Sequence, residues 1–128
     1  LNNFAEEYAE ALVQTTGLTA CITDRDVVVA AAGSGSRELD GKEISTELDE
    51  VISGREARLI NGTDREDVSV ILGHKDSFTG KMIQPILCAS DAIGSVILLG
   101  KSDKNVLGEK ERALVKTAAS FLGRQMEQ

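Results

Sequence analysis

The segment KMIQPILCASDAIGSVILLGK, residues 81–101, is the most informative part of the chain. It holds two apolar runs, 81–89 and 92–101, separated by a short polar step, which predicts two antiparallel strands joined by a tight turn. The second run is almost continuously apolar, so we expect a central strand covered on both faces. Pro85 lacks an amide N–H and predicts an edge or bulge position. Gly94 predicts a bulge or a close approach by the helix above it.

The segments before and after this hairpin add a second hairpin and three helices. Residues 19–23 and 27–32 are short apolar runs around the turn at 24–26, which predicts the second hairpin. Residues 1–16 and 108–127 carry apolar side chains at helical spacing, and residues 45–53 predict a shorter helix. We also expect strands at 57–60 and 68–72 and a polar, mobile loop at 73–80. Binding residues concentrate in such loops.

This order predicts an α/β (α+β) fold in one domain over residues 1–128. Hairpin connections dominate, so the sheet is expected to be largely antiparallel, with helices on its faces. No initiator Met or signal peptide precedes Leu1, so we expect the chain to be a fragment of a longer protein.

The net charge and the number of cysteines restrict the macromolecular partners and the cellular compartment that we expect. The 128 residues carry 14 Lys and Arg against 21 Asp and Glu, a net charge of −7. This balance opposes nonspecific binding to nucleic acid or to anionic membranes. No apolar run is long enough to cross a bilayer. Two isolated cysteines fit the reducing cytoplasm, where we expect the protein to lie.

The basic side chains are concentrated in the second part of the chain. Residues 1–54 hold 11 acids and 3 bases, and residues 55–128 hold 10 acids and 11 bases. We therefore expect a ligand site between residues 39 and 80, on the sheet face away from the terminal helices. Arg58 is the first candidate to bind a carboxylate or phosphate, because a strand would fix its guanidinium. Arg55 and Arg65, nearer to loops, are further candidates; the alternative is that these side chains are solvated.

No catalytic or metal-binding set is apparent. Cys21 and Cys88 are 67 positions apart, and His74 is the only histidine, so neither a zinc site nor a catalytic triad is predicted. Both cysteines lie in apolar segments and are expected to be buried. The sequence favours a protein that is not an enzyme; the alternative is a small redox enzyme that uses Cys21 or Cys88.

The terminal helices carry wider apolar stripes than one sheet face requires. This excess predicts a second interface, between subunits, and the alternative is that the two helices use it against each other within one monomer. The predicted homo-oligomer interface contains Phe4, Tyr8, Leu12, Leu114, Phe121 and Leu122.

The sequence resembles the GAF domains over almost its whole length. The likeness lies in ITDRDVV (22–28), QPI (84–86), IGSVIL (93–98) and the start of the last helix at LGEKE (107–111). The resemblance implies a PAS-like antiparallel sheet, with the terminal helices packed together on one face and a small-molecule pocket lined by loops and a helix on the other. In PAS-like sheets the strands that hold Cys21 and Cys88 lie two apart, so no disulfide between them is expected. The Asn-Lys-x-x-x-Phe-x-x-x-Asp signature of cyclic-nucleotide-binding GAF domains is absent, and no particular ligand or cofactor is indicated.

Within these domains the chain resembles the C-terminal sensory domains of a family of bacterial spore-formation transcription regulators, which act as activator or repressor. That resemblance implies that DNA is bound only through an N-terminal AbrB-like domain of the swapped-hairpin type. It also implies that a signal in the GAF domain alters DNA binding. A further alternative is a purely structural module whose pocket is filled.

Overall fold

The computed structural model describes residues 2–61, 67–101 and 107–127. Its element order confirms the predicted mixture of helices and strands. The elements are α1 (Asn2–Thr16), β1 (Thr19–Thr23), β2 (Val28–Ala32), α2 (Thr46–Gly54), β3 (Arg58–Asn61), β4 (Gly80–Cys88), β5 (Asp91–Gly100) and α3 (Glu109–Met126).

The strands form one antiparallel sheet in the order β2-β1-β5-β4-β3. β5 is central: it pairs with β1 on one side and with β4 along its whole length on the other. Its residues from Gly94 to Gly100 are all buried, which explains why this run is so continuously apolar. β3 pairs only with the first part of β4, from Gly80 to Ile83. Pro85 therefore lies where β4 has a strand neighbour on one side only, which fits its missing N–H.

The sheet separates two apolar cores. Helices α1 and α3 cover one face, which we call the helix face, through residues such as Leu12, Met82 and Leu122. The opposite face, which we call the distal face, is covered by α2 and by the segment 67–79, with Cys21 and Ile83 in its core. No helix in the described ranges is long and apolar enough to cross a membrane.

Local chemistry places α2 over the distal face. The Ser45 hydroxyl accepts the Leu48 N–H at 3.0 Å and begins the helix. Arg25, in the turn between β1 and β2, donates through Nε to Asp49 of α2 at 2.8 Å. The same guanidinium donates through Nη1 to the carbonyl of Ala92 at 3.1 Å. One side chain thus ties α2 to the central strand.

The predicted strand at 68–72 is wrong. This segment has only an isolated bridge, between Ile44 and Ile71, with the N–H of Ser45 donating to the Val70 carbonyl at 3.0 Å. Val68, Val70 and Ile71 are nevertheless buried in the distal core. The apolar, β-branched pattern therefore reports burial of an irregular segment, because burial and strand formation select the same residues.

Two glycines mark close backbone approaches. A Cβ at Gly94 would overlap the carbonyl oxygen of Thr23 in β1, so the approach predicted there is confirmed, but it comes from a neighbouring strand and not from a helix. A Cβ at Gly123 of α3 would overlap the carbonyl oxygen of Leu87 in β4. The close helix approach is therefore at Gly123.

Candidate functional site

An open cleft of about 400 Å³ lies on the distal side, between α2, β3 and the start of the segment 67–79. This volume is in the range of small-molecule sites. Its lining includes four acidic side chains and one guanidinium, which come from Glu47, Glu50, Glu56, Asp67 and Arg58. The cleft is therefore predominantly acidic.

A buried lysine lies behind one wall of this cleft. Lys81 of β4 is fully buried, and its Nζ donates to the Val68 carbonyl at 2.6 Å. The same ammonium lies 2.9 Å from Oδ1 of Asp76 and 3.1 Å from Oδ1 of Asp67. A buried ammonium needs such a set of acceptors, since desolvation without partners costs several kcal/mol.

Strand geometry explains why this lysine points inward. Successive side chains of a strand alternate between the two faces, and Ile83 of β4 lies in the distal core while Met82 lies in the helix-face core. Lys81 shares the face of Ile83. It is thus the one charged residue that β4 directs into the distal core.

Asp76 organises the segment that covers the distal face. Its carboxylate accepts the N–H of Val70 at 3.1 Å through Oδ2 and the N–H of Phe78 at 3.3 Å through Oδ1. Both Asp76 and Phe78 are buried. Residues 73–80 are predicted to form a polar, mobile loop, and Asp76 and Phe78 differ from that pattern, because both are buried and anchor this loop to the sheet.

Cys21 lies close enough to this ion pair for both of its charges to change the pKa of the thiol. Burial, the largest cause, and the Asp76 carboxylate together raise the pKa of the Cys21 thiol from 9.0 to about 12, against a lowering effect of the Lys81 ammonium. The thiol is therefore protonated at neutral pH and is a poor nucleophile. Cys88 is half-buried, which corrects the expectation that both cysteines are buried; it ends β4 beside the turn at Ala89 and Ser90.

The two cysteines are well separated. β5 lies between their strands, and Cys21 pairs with Ile97 whereas Cys88 pairs with Asp91. The predicted strand order is thus confirmed, and six residues along β5 add about 20 Å to the separation.

The three arginines predicted to bind a ligand are placed differently. Arg58 begins β3, is half-buried and lines the cleft. Arg55 ends α2 and is exposed; its Nε donates to the Ser90 carbonyl at 2.9 Å, which directs it to the turn between β4 and β5. Arg65 lies outside the described residues.

The six residues predicted to form an oligomer interface fall into two groups. Phe4 and Phe121 are exposed and, with Tyr8, form a cluster in which the Phe121 ring centroid lies 5.5 Å from Phe4 and 5.6 Å from Tyr8. Leu114 is half-buried. Leu12 and Leu122 are buried in the helix-face core of the monomer, which corrects their assignment to the surface: their positions on the helices face the sheet.

The sequence analysis missed Asp76 and treated Lys81 only as one of the basic side chains of residues 55–128 that could receive an anion. The available signal was a lysine at the start of a strongly apolar strand, on the same side as Ile83. Among residues 2–61, 67–101 and 107–127, no three His, Cys, Asp or Glu side chains are grouped so that they could hold a metal ion.

A central antiparallel sheet with terminal helices on one face and a cleft on the other defines a GAF-fold domain. The GAF domain of the Acinetobacter phosphoenolpyruvate-protein phosphotransferase superposes with a TM-score of 0.79 and 11% identity, over 96% of this chain and 80% of that one. The type II free methionine-R-sulfoxide reductase of Thermoplasma acidophilum gives 0.72 and 10%, over 96% and 92%. At these identities the likeness shows the fold alone.

Sequence comparison identifies the family. The family model described as "Stage V sporulation protein T C-terminal, transcription factor" matches residues 1–127. Stage V sporulation protein T of Bacillus subtilis (strain 168) is 37% identical over 128 residues, which are all of this chain and 70% of the relative. The chain belongs to this family of sporulation transcription factor domains.

Proposed function

We propose that this chain is the sensory and self-associating domain of a cytoplasmic, DNA-binding regulator of bacterial sporulation, acting as activator or repressor. In this proposal a small molecule binds on the distal side, and copies associate through the terminal helices. DNA is bound by an N-terminal AbrB-like domain. The family membership and the relative's printed name support a regulatory role.

The observation that carries the proposal is the position of β4 between the two surfaces. On the distal face β4 presents Lys81 beside the cleft, and on the helix face it presents Met82 and Ile86 to the core beneath α3. Gly123 of α3 lies against the backbone of Leu87. A change in the position of β4 caused by a ligand would therefore move α3 with it.

The proposed ligand site is the acidic cleft, with Arg58 as the side chain that contacts the ligand. Support comes from its half-buried position at the start of β3, where the strand limits its motion. Arg55 and Arg65 remain secondary candidates in this proposal. Because the deeper distal core is filled by side chains such as Leu48 and Phe78, the ligand would be a small one.

The proposed self-association surface consists of Phe4, Tyr8, Leu114 and Phe121. The aromatic cluster leaves an apolar hollow of about 230 Å³ between α1 and α3, and exposed aromatic groups of this kind mark interaction sites. A second copy is the proposed occupant. The AbrB-like module of the full-length regulator would add a further contact between copies and raise their effective concentration.

The redox-enzyme alternative has less support. Catalysis by a cysteine requires an accessible thiolate, and Cys21 is fully buried with its pKa raised to about 12. Cys88 is more accessible, but it lies six residues along β5 from the position of Cys21, with β5 between their strands, so the two thiols cannot form a disulfide with each other. The reductase among the structural neighbours shares 10% identity, which carries no activity to this chain.

The proposal is tested in two steps. Small molecules released by denaturing the purified chain are identified by mass spectrometry, and each one is then added to the full-length regulator while its DNA affinity is measured. We expect a compound that binds wild-type protein, binds Arg58→Gln at least about tenfold more weakly, a change of about 1.4 kcal/mol, and alters DNA affinity. A bound compound that leaves DNA affinity unchanged would contradict the sensory role.

A further inference from the structure

The Lys81 ammonium contacts three parts of the chain: it donates hydrogen bonds to the Val68 carbonyl and to Oδ2 of Asp76, and it forms an ion pair with the Asp67 carboxylate. The two carboxylates differ in their surroundings. The Asp76 side chain is 2% exposed and also accepts the N–H groups of Val70 and Phe78. Asp76 is therefore a fixed part of the segment 67–79 that covers the distal face.

Asp67 reaches the lysine from the solvent side. Its side chain is 30% exposed, and together with Val68 it forms part of the cleft lining. The cleft wall at this point is therefore the layer that separates the ammonium from solvent. If the Asp67 side chain turns away, one donor of Lys81 becomes accessible from the cleft.

The charge of the cleft restricts which anion could enter. Glu47, Glu50 and Glu56 line it, with Arg58 as the positive group. Each further negative charge on a ligand would be repelled by these glutamates, and the repulsion would weaken with ionic strength. A single carboxylate is thus favoured over a dianion such as sulfate.

We propose that Lys81 is an exchangeable carboxylate-binding site, which Asp67 occupies in this structure and which the carboxylate of a small monoanionic ligand occupies in its place. This inference rests on the proposed sensory function and names the chemical class of its ligand. The exchange replaces one ion-pair partner of Lys81 by another, and no covalent bond forms or breaks. It requires no rearrangement of Asp76, which keeps the distal segment folded.

The test uses the Asp67→Ala variant and sodium acetate, with sodium chloride and sodium sulfate at equal ionic strength as controls. In Asp67→Ala the internal competitor is absent. Acetate at about ten times its dissociation constant is expected to raise the melting temperature by about 4 °C or more. Chloride and sulfate are expected to change the melting temperature only by the amount that ionic strength itself causes. Wild-type protein is expected to bind acetate at least about tenfold more weakly, because Asp67 competes from within the chain.

The matched control is the double variant Asp67→Ala/Lys81→Met, in which acetate is expected to have no specific effect. An equal response to acetate in the single and double variants, or an equal response to acetate and chloride in Asp67→Ala, would overturn the proposal. If the double variant does not fold, the amide signals of Val68, Val70 and Lys81 in a ¹H–¹⁵N spectrum of Asp67→Ala decide the matter. They must shift and saturate with acetate, and unchanged signals refute the site.

The two proposals can fail separately. A metabolite that alters DNA affinity and binds Lys81→Met as well as it binds wild type would refute the carboxylate site and leave the sensory function intact. Saturable acetate binding at Lys81, without any compound that alters DNA affinity, would support the site and refute the sensory function.

Discussion

The Lys81 ammonium lies 2.9 Å from Oδ1 of Asp76, and this ion pair links the sheet to the irregular segment that covers its distal face. Both side chains are almost fully buried, with 0% and 2% of their surface exposed. Both partners of so deeply buried an ion pair are needed for stability, because removing one of them leaves the other charge unpaired in the core, and this is costly. The pair also fixes where the cleft wall at Asp67 and Val68 lies.

Removing the charge of Lys81 should destabilise the fold strongly. In Lys81→Met the Asp76 carboxylate remains buried without its cation, and we expect the free energy of unfolding to fall by about 3–5 kcal/mol. Denaturation with urea measures this loss. Lys116→Met, at an exposed position of α3, is the matched control and should stay within about 0.5 kcal/mol of wild type.

The double variant Lys81→Met/Asp76→Asn separates loss of the pair from loss of one charge. The amide that replaces the carboxylate is neutral, and its oxygen can still accept a backbone N–H. The double variant should therefore lose less stability than the sum of the two single variants. Additive losses would show that the two side chains do not interact energetically.

Cys21 should make the protein less stable in alkali. Its pKa is raised from 9.0 to about 12, chiefly by burial, so above pH 9 the unfolded chain releases this proton while the folded chain keeps it. The contribution is fully present below about pH 9 and is lost as the pH rises towards 12, at about 1.4 kcal/mol per pH unit. Chemical denaturation across this range should show a shallower decline for Cys21→Ala. Identical slopes would contradict the assignment.

The two cysteines should react differently with thiol reagents in the native state. Cys88 is half-buried at the end of β4 and is expected to be modified, whereas Cys21 is fully buried and should be modified only when the molecule unfolds. Mass spectrometry of peptides after timed alkylation measures the two rates. Modification of Cys21 at a rate unaffected by stabilising or destabilising the fold would mean that its pocket opens locally.

Gly94→Val should destabilise the protein by more than about 1 kcal/mol, because the added side chain forces the backbone near Thr23 to move. Thermal or urea unfolding measures the loss. Gly54→Val provides the comparison, since nothing lies within 4 Å of a Cβ built at Gly54, and it should change stability by no more than about 0.5 kcal/mol. Equal stabilities of the two variants would show that β1 and β5 can separate at little cost.

Phe121→Glu should leave the monomer folded and lower the assembled mass of the full-length regulator in light scattering. Phe121 is 37% exposed, so the monomer loses only its ring contacts with Phe4 and Tyr8, worth about 1 kcal/mol. Leu122→Glu places a charge at a position that is 1% exposed and should unfold the domain.

Ser120→Glu is the control for added charge, because it is exposed on α3 but lies in the groove beside β4 and not in the aromatic cluster. The interface proposal fails if Phe121→Glu and Ser120→Glu give the same assembled mass.

Local patterns were sufficient for most secondary structure. The apolar runs of β4 and β5 and the helical spacing of α1 and α3 each arise from neighbours within a few residues. The segment 68–72 was predicted wrongly because its residues are buried without joining the sheet. A pattern of buried residues does not state whether the backbone hydrogen bonds go to a strand or, as for Ser45 and Val70, to a single bridge.

Residues of the site were harder to predict, because their partners are distant from one another along the chain or lie in irregular structure. Arg58 was identified from its strand context and does line the cleft. Asp76 gave no signal, since an aspartate in a polar loop is ordinarily solvated. Its role follows from two backbone amides and one ammonium that converge on it only in the folded chain.

Sequence alone was enough to predict the order of helices and strands apart from the strand expected at 68–72, the hairpin at 81–101, the need for a close approach at Gly94 and the resemblance to GAF domains. These properties depend on periodicity, turn residues and the lack of a side chain, which are local. The folded chain was needed to show that Leu12 and Leu122 face the core, that Phe121 remains at the surface, and that Lys81 is buried against Asp76 and Asp67. Burial and charge pairing depend on which elements pack together, and that information is carried by contacts between segments far apart in the chain.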